Sequence, residues 1–309
     1  MPHKHHLDHA PFLVPPEKKI KLKDFDPGFT SGFKNKEEAR EALLEDVSGL
    51  AAAQDVLWAA KEHAVVIVLQ ALDAAGKDGT IKHVMSGVNP QGVYVRAFKA
   101  PTAEELLHHF LWRPMRVLPA RGEIGIFNRS YYEEVLVVRV HPQFLDAQWL
   151  PPELRKDHSQ LWKSRYDEIN EFERTLRRNN TIVLKFFLNL SKKEQRKRFL
   201  ERLDNPEKNW KFSVNDLHER GFWNDYQAAY EDMLNATSSE ESPWYVIPAD
   251  KKWFSRACVA DIIASRINEL GLQYPTVPAS EKALLAEAKR KLEAEGGDCV
   301  VPTAEAGVG

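Results

Sequence analysis

The sequence is poor in the residues that define several protein classes. Only two of its 309 residues are cysteine, Cys258 and Cys299, 41 positions apart. Two distant cysteines give neither a disulfide framework nor a zinc spacing, so a reducing cytoplasm is the expected location. No apolar run approaches the roughly 18 residues of a membrane-spanning helix. The opening MPHKHHLDHAPFL contains no apolar signal core. An excess of one charge is missing too: 43 Lys and Arg face 45 Asp and Glu, a formal net charge of −2. Without a global basic field the chain is not expected to bind nucleic acid, and any anionic ligand must meet a local patch. Secreted, membrane and disulfide-rich classes are set aside.

What is present suits a soluble α/β protein of one large or two small domains. Residues 1–34, rich in His, Pro and Lys, read as an irregular arm. His3, His5, His6 and His9 could bind a metal, but nothing rigid presents them, and a solvated polar tail is the expected state. Residues 36–62 have helical spacing, with Ala39, Leu43, Val47, Leu50 and Leu57 among the apolar positions. AVVIVLQA at 64–71 is a continuous β-branched run, as in a strand buried on both faces. Similar runs follow at 93–98, 124–127, 181–188 and 244–249. Between them, 102–112 opens with a capping box, Thr102 and Glu105, and 153–178 and 251–270 are amphipathic. Strands alternating with helices predict a parallel sheet of about five strands flanked by helices. Residues 191–235 form a charged helical insert between the fourth and fifth strands. One more exposed helix is expected at 280–296, and the tail GGDCVVPTAEAGVG lacks the means to pack.

The first strand runs into ALDAAGKDGT, 71–80, and then a helix. Small residues Ala74, Ala75 and Gly76 let the backbone curl around an anion, and the amides that open the helix point at phosphate oxygens. Lys77 can reach the outer phosphates. This is the strand, loop and helix of a P-loop, with two departures from G-x-x-x-x-G-K-[ST]: Ala71 replaces the first Gly, and Asp78 follows the Lys. Thr80 could take the displaced hydroxyl's role, or an acidic residue could hold magnesium. The alternative is an ordinary Gly-containing turn. Asp73 inside the loop would orient magnesium or an attacking group, or merely bond its own turn. The strand at 124–127 ends at Asn128 and Arg129, where α/β sheets bind ligands. Arg129 could clamp a phosphoryl group or bridge to Glu133 or Glu134.

The stretch 191–211 holds eight Lys or Arg against four Asp or Glu. Arg198 and Arg202 share a helical face, and Lys192, Lys193, Arg196, Lys208 and Lys211 extend the patch. Beside a P-loop this insert reads as a lid over phosphates. Trp210, Phe212, Trp223 and Tyr226 are expected to dock it on the body, with stacking on a base as the lesser reading.

DAAGKDGTIKHV, FNRSYYEEVLV, SKKEQRKRFLERLDNPEKNWKFS, ERGFWNDYQAAYEDMLNAT and PWYVIPADKKWF occur in this order. Together they resemble the second family of polyphosphate kinases, P-loop enzymes with a thymidylate-kinase-like fold. The resemblance spans residues 35–272, leaving 273–309 as a C-terminal extension. It implies magnesium- or manganese-dependent, reversible phosphoryl transfer between inorganic polyphosphate and purine nucleotides. Asp73 (as metal ligand), Lys77 and Lys82 then match the family's loop and helix residues, and Arg198 and Arg202 its lid arginines. Gly76, Asp78, Gly79, Thr80 and Lys208 would complete the phosphate site, and Glu133 or Glu134 would meet metal or acceptor. Asn128 stands where the family usually has Asp, as in the subgroup, class III, that takes AMP as well as ADP to make ATP. A homo-oligomer is implied as well. The rival readings are an ATP-dependent nucleoside monophosphate kinase of thymidylate type and a non-catalytic module binding polyphosphate or nucleotide.

Overall fold

The five apolar runs form five strands in the computed structural model, which describes residues 6–295. These are β1 Ala64–Gln70, β2 Val93–Ala97, β3 Ile124–Asn128, β4 Thr181–Asn189 and β5 Trp244–Pro248. They pair in the order β2-β3-β1-β4-β5, and every pair is parallel. Leu69 of β1 lies opposite both Asn128 and Phe186, so the central strands end nearly level. β1, β4 and β5 are buried at every residue, which a parallel sheet allows only with helices on both faces.

The long helices of this unit are α1 Lys36–Ala60, α2 Lys77–Val84, α3 His158–Arg178, α4 Lys192–Leu203, α5 Val214–Gly221, α6 Trp223–Thr237 and α7 Lys252–Asn268. One face of the sheet packs Ile67 and Ile126 against Leu50 and Leu57 of α1 and Phe254 and Ile262 of α7. The other packs Val66, Val68 and Phe187 against Phe172 of α3 and Tyr230 and Met233 of α6. A second compact unit, Tyr274–Gly309, contains α8, Ala279–Glu295, exposed along its length.

Three local expectations change. Residues 102–112 form both capping bonds, Thr102 N to Glu105 Oε2 at 2.7 Å and Glu105 N to Thr102 Oγ1 at 3.2 Å. Yet only a 3-10 turn at Glu105–Leu107 follows, because the turn after the box has no face to bury: Leu107 is 75% exposed, and burial begins only at Leu111. The stretch 153–178 is interrupted at Asp157, whose carboxylate caps α3 by accepting from the amides of Ser159 and Gln160. The arm is irregular but docked. Leu13 bridges Tyr245, Val14 N donates to Trp244 O, and Phe12, Val14 and Leu22 are buried. His6 and His9 are therefore not solvated: the amides of His6 and Leu7 and the ring of His9 bond Asp261 on α7. Burial alone would raise the Asp261 pKa, but His9 and these amides hold it below the usual range. His3, His5, Cys299 and the tail from 296 lie outside the described residues.

A buried ion pair ties the sheet to the segment after β3. Lys185 of β4 is 0% exposed. Its Nζ donates to Glu173 Oε2 at 2.6 Å and to Thr237 O at 2.6 Å. Glu173 Oε1 accepts the hydroxyls of Tyr131 and Tyr132. Removing one partner of such a pair leaves a buried charge. Lys185→Met should cost about 3 kcal/mol, a fall in Tm of roughly 6–12 °C. A thermal melt checks this, and adding Glu173→Gln should recover part of the loss.

Candidate active site

β1 lies at the topological switch point, with β3 on one side and β4 on the other. The segments leaving β1 and β3 diverge and open a crevice beyond the carboxyl edge. From β1 the chain turns through 71–76 into α2. Two residues of this turn have positive φ, Ala74 at 65° and Gly76 at 109°. For alanine this conformation costs about 1 kcal/mol, so the turn must be held from outside.

Helix α4 holds it. Gln195 Nε2 donates to Asp73 O at 2.9 Å, and Arg198 Nη1 donates to Ala74 O at 3.0 Å and Ala75 O at 2.9 Å. Across a trans peptide the next N–H points opposite to the carbonyl. With three carbonyls drawn toward α4, the amides of Ala74, Ala75 and Gly76 face the other way. Ala75 N closes the turn on Leu72 O. The Ala74 and Gly76 amides join those that open α2, whose N-terminus has no side-chain cap, in a nest for an anion.

Lys77 folds back over the loop, its Nζ donating to Ala71 O at 2.9 Å. Burial, and then the nearby Arg129 charge, lower its pKa to about 8, against Asp73, Glu133 and Asp78. At the end of β3, Asn128 Nδ2 donates to Asp78 Oδ1 at 2.6 Å. Arg129, also left-handed at φ 61°, donates to Asp73 Oδ1 at 2.7 Å and to Glu133 Oε2 at 3.0 Å. The bridge to Glu133 read from the sequence is present, and the same guanidinium reaches Asp73 in the loop. Glu133 first, and Asp73 with it, push its pKa up despite burial, so it stays charged.

Asp73, Arg129 and Glu133 line a cleft with the lid's Gln195, Asp216, Glu219 and Arg220 and the aromatic rings of Trp223, Tyr226 and Tyr230. Sequence reasoning did not assign Gln195, Asp216, Glu219, Arg220 or Tyr230 to the site. For Glu219, Arg220 and Tyr230 the signal is the run ERGFWNDYQAAY, whose rings read first as docking and only second as a surface for a base; Gln195 and Asp216 give no such signal. Burial and the Asp73 charge raise the pKa of Asp216. Arg220 Nη1 donates to Gln195 Oε1 at 2.7 Å, and Gln195 in turn bonds the loop, so lid and loop share one chain of contacts.

Several expected residues stand elsewhere. Arg198 is 3% exposed. Beyond the loop carbonyls it donates to Glu194, Ala249 O and Asp250 O, so all five N–H donors serve protein oxygens. It supports the loop from behind and does not meet a phosphate chain. Thr80 is buried beside Ile67, Val84 and Val259, facing the core. Glu134 turns from the cleft to Gln148 and Arg165, since neighbours in a 3-10 turn diverge. Arg202 bonds Lys211 O and Asp216 within the lid, while Lys82 and Lys208 are exposed. Trp210 is 78% exposed and does not dock the insert.

Arg198→Gln should leave loop carbonyls unsatisfied and release the left-handed Ala74. The expected cost is about 2–4 kcal/mol, read as a lower Tm, with anion binding weakened for every phosphate ligand alike.

Comparison with known proteins agrees with this geometry. The family model described as polyphosphate kinase 2 matches residues 33–274. The chain is 50% identical over 275 residues to the ADP-polyphosphate phosphotransferase of Rhodopseudomonas palustris, covering 89% of this chain and 95% of the other. It is 48% identical over 276 residues to the AMP/ADP-polyphosphate phosphotransferase of Meiothermus ruber, covering 89% and 98%. The crystal structure of polyphosphate kinase 2 from Arthrobacter aurescens TC1 superposes with a TM-score of 0.81 at 38% identity, over 92% of this chain and 98% of that one. With the same sheet, loop and ordered motifs, the chain belongs to the polyphosphate kinase 2 family.

Proposed function

We propose that this protein transfers phosphoryl groups from inorganic polyphosphate to nucleoside mono- and diphosphates, AMP to ADP and ADP to ATP, reversibly. The observation that carries the reading is the loop itself. Its carbonyls are drawn away, its amides are turned outward, and Lys77 and Arg129 flank it. A donor with no base to read needs only such a charged cradle. The aromatic wall of Trp223, Tyr226 and Tyr230 suits a nucleotide acceptor.

In the transfer, an oxygen of the acceptor's terminal phosphate attacks the end phosphorus of the donor. A new P–O bond forms and the P–O bond to the penultimate phosphate breaks. The shortened chain leaves with that oxygen's electron pair. Catalysis is then positioning and charge neutralisation. Lys77 and the outward amides hold the donor's end, and Arg129 neutralises the transferring group. Asp73 and Glu133 keep Arg129 aimed at the loop.

Among the described residues no three His, Cys, Asp or Glu side chains are grouped to hold a metal ion. Magnesium fits such a site, because it is commonly held by one or two carboxylates with the rest of its ligands from substrate phosphates. Asp73 in the cleft is the carboxylate for it. Bound there, magnesium or manganese would neutralise phosphate charge. Among the described residues no helix is long and apolar enough to cross a membrane. A cytoplasmic homo-oligomer completes the proposal.

The test is ATP formation from ADP, and separately from AMP, with magnesium and polyphosphate. An ATP-dependent monophosphate kinase would instead convert AMP with ATP and ignore polyphosphate, and a binding module would do neither. Lys77 adds a pH signature. As an ammonium it binds the donor, and deprotonation in the free enzyme near pH 8 removes that charge. We expect kcat/KM for polyphosphate to fall above an apparent pKa of about 8. A flat profile to pH 10 would remove Lys77 from donor binding.

Asn128 gives a second prediction. A carboxylate at 128 would face Asp78, which Asn128 now contacts at 2.6 Å. The repelled pair adds charge where the acceptor phosphate approaches, and AMP places its phosphate nearer the sugar than ADP does. Asn128→Asp should shift the AMP-to-ADP ratio of kcat/KM severalfold at saturating polyphosphate, with the fold intact. An unchanged ratio would clear Asn128 of setting acceptor range.

A further inference from the structure

The outer side of the loop helix carries a cluster of cations that the reading above leaves unused. Arg256 of α7 lies across the first turn of α2. Its Nη2 is 3.2 Å from where a Cβ on Gly79 would stand, so the guanidinium lies close against the helix at a position without a side chain. Its Nη1 is 3.1 Å from His83 Nε2, and His83 Nδ1 is 2.7 Å from Gly79 O. A carbonyl can only accept, so Nδ1 carries the proton and Nε2 accepts from Arg256. His83 is thereby a neutral prop for the guanidinium. Lys252 stands one helical turn before Arg256, and Lys82 shares the α2 face of Gly79 and His83.

This arrangement is electrostatically unfavourable as it stands. Burial and the neighbouring Arg198 lower the pKa of both Lys252 and Arg256. Among the described residues, no carboxylate comes within the 4.0 Å of a salt bridge to Lys82, Lys251, Lys252 or Arg256. Glu194 and Glu201 act on Lys252 only at longer range. Lys251 and Lys252 also open α7, with no acidic residue in its first turn, against the helix dipole. A polyanion crossing the cluster would relieve every one of these costs.

We propose that Arg256 and Lys252, with Lys82, form a track for the distal phosphates of the polyphosphate donor, leading away from Lys77 over the outer face of α2. The proposal rests on polyphosphate being the donor. A terminal unit occupies the loop whatever the chain length. The further the chain runs beyond the loop, the more of these cations it meets, so Arg256 and Lys252 set the preference for long donors.

The experiment compares tripolyphosphate with a chain of several hundred phosphates, at saturating ADP and magnesium, in the wild type, Arg256→Gln, Lys252→Gln and the double variant. We expect KM for the long chain to rise about fivefold for each cation removed, with a shallower salt dependence. KM for tripolyphosphate should move less than twofold. Arg256→Lys, which keeps the charge and loses the His83 contact, should retain most of the long-chain affinity. Active variants with an unchanged ratio of the two KM values overturn the track. So does equal loss with both donors, or Arg256→Lys behaving as Arg256→Gln, because either marks Arg256 as a prop for Gly79. A wild type that makes no ATP from either donor overturns the donor assignment itself.

Discussion

One buried guanidinium meets three parts of this structure at once. Arg198 reaches the loop at Ala74 and Ala75, the end of β5 at Ala249 and Asp250, and its own helix at Glu194. Its burial is tolerable because every donor has an oxygen, two lone-pair directions of the loop are used, and Glu194 balances the charge. The consequence for the site is directional. A carbonyl fixed on one side of the loop fixes an amide on the other, so the anion nest is made by contacts that never touch the anion. The left-handed Ala74 is the local cost of that arrangement.

A second buried cation works on the opposite wall. Lys185 holds Glu173, and Glu173 holds the hydroxyls of Tyr131 and Tyr132. Those tyrosines lie between Arg129 and Glu133 in sequence, so the segment carrying the strand-end arginine is anchored from the core. Burial raises the pKa of both tyrosines, helped by the Glu173 charge, and they remain donors across the physiological range. The loop and the strand-end arginine are thus each set by an ionic network on the side away from the cleft. A change at Arg198 or Lys185 therefore reaches the chemistry through geometry.

Much of this was legible in the sequence. The strands were, because residues buried on both faces must be apolar without alternation, and AVVIVLQA or TIVLKFFLN has few other uses. The loop was, because small residues before a Lys at a strand end have a specific backbone purpose. Residues 102–112 were misread because a capping box is local, whereas a helix persists only if a face is buried. Arg198 was misread for a related reason. Its spacing from Arg202 placed the two on one helical face, but a helical wheel does not say whether that face meets solvent or the back of a loop. His6 and His9 gave no signal at all, since their partner Asp261 lies more than 250 residues away.

Charge balance inside the cleft explains how a chain of net charge −2 can serve a polyanion. Arg129 is not bare: Asp73 and Glu133 neutralise it, and Lys77 rests on a carbonyl. Two unshielded cations this close would depress each other; burial first, and Arg129 after it, already lower the Lys77 pKa. On the proposed reading, a phosphate at Arg129 would take the place of a carboxylate instead of meeting a desolvated charge, so the cost of burying the cation is met by folding before the ligand enters. The freed Asp73 carboxylate is then beside the phosphates, where the only favourable partner for it is a second cation. On the proposed reading that cation would be a magnesium held by Asp73, supplying positive charge against the phosphates. One aspartate could on that reading stand inside a phosphate loop without abolishing its affinity for anions.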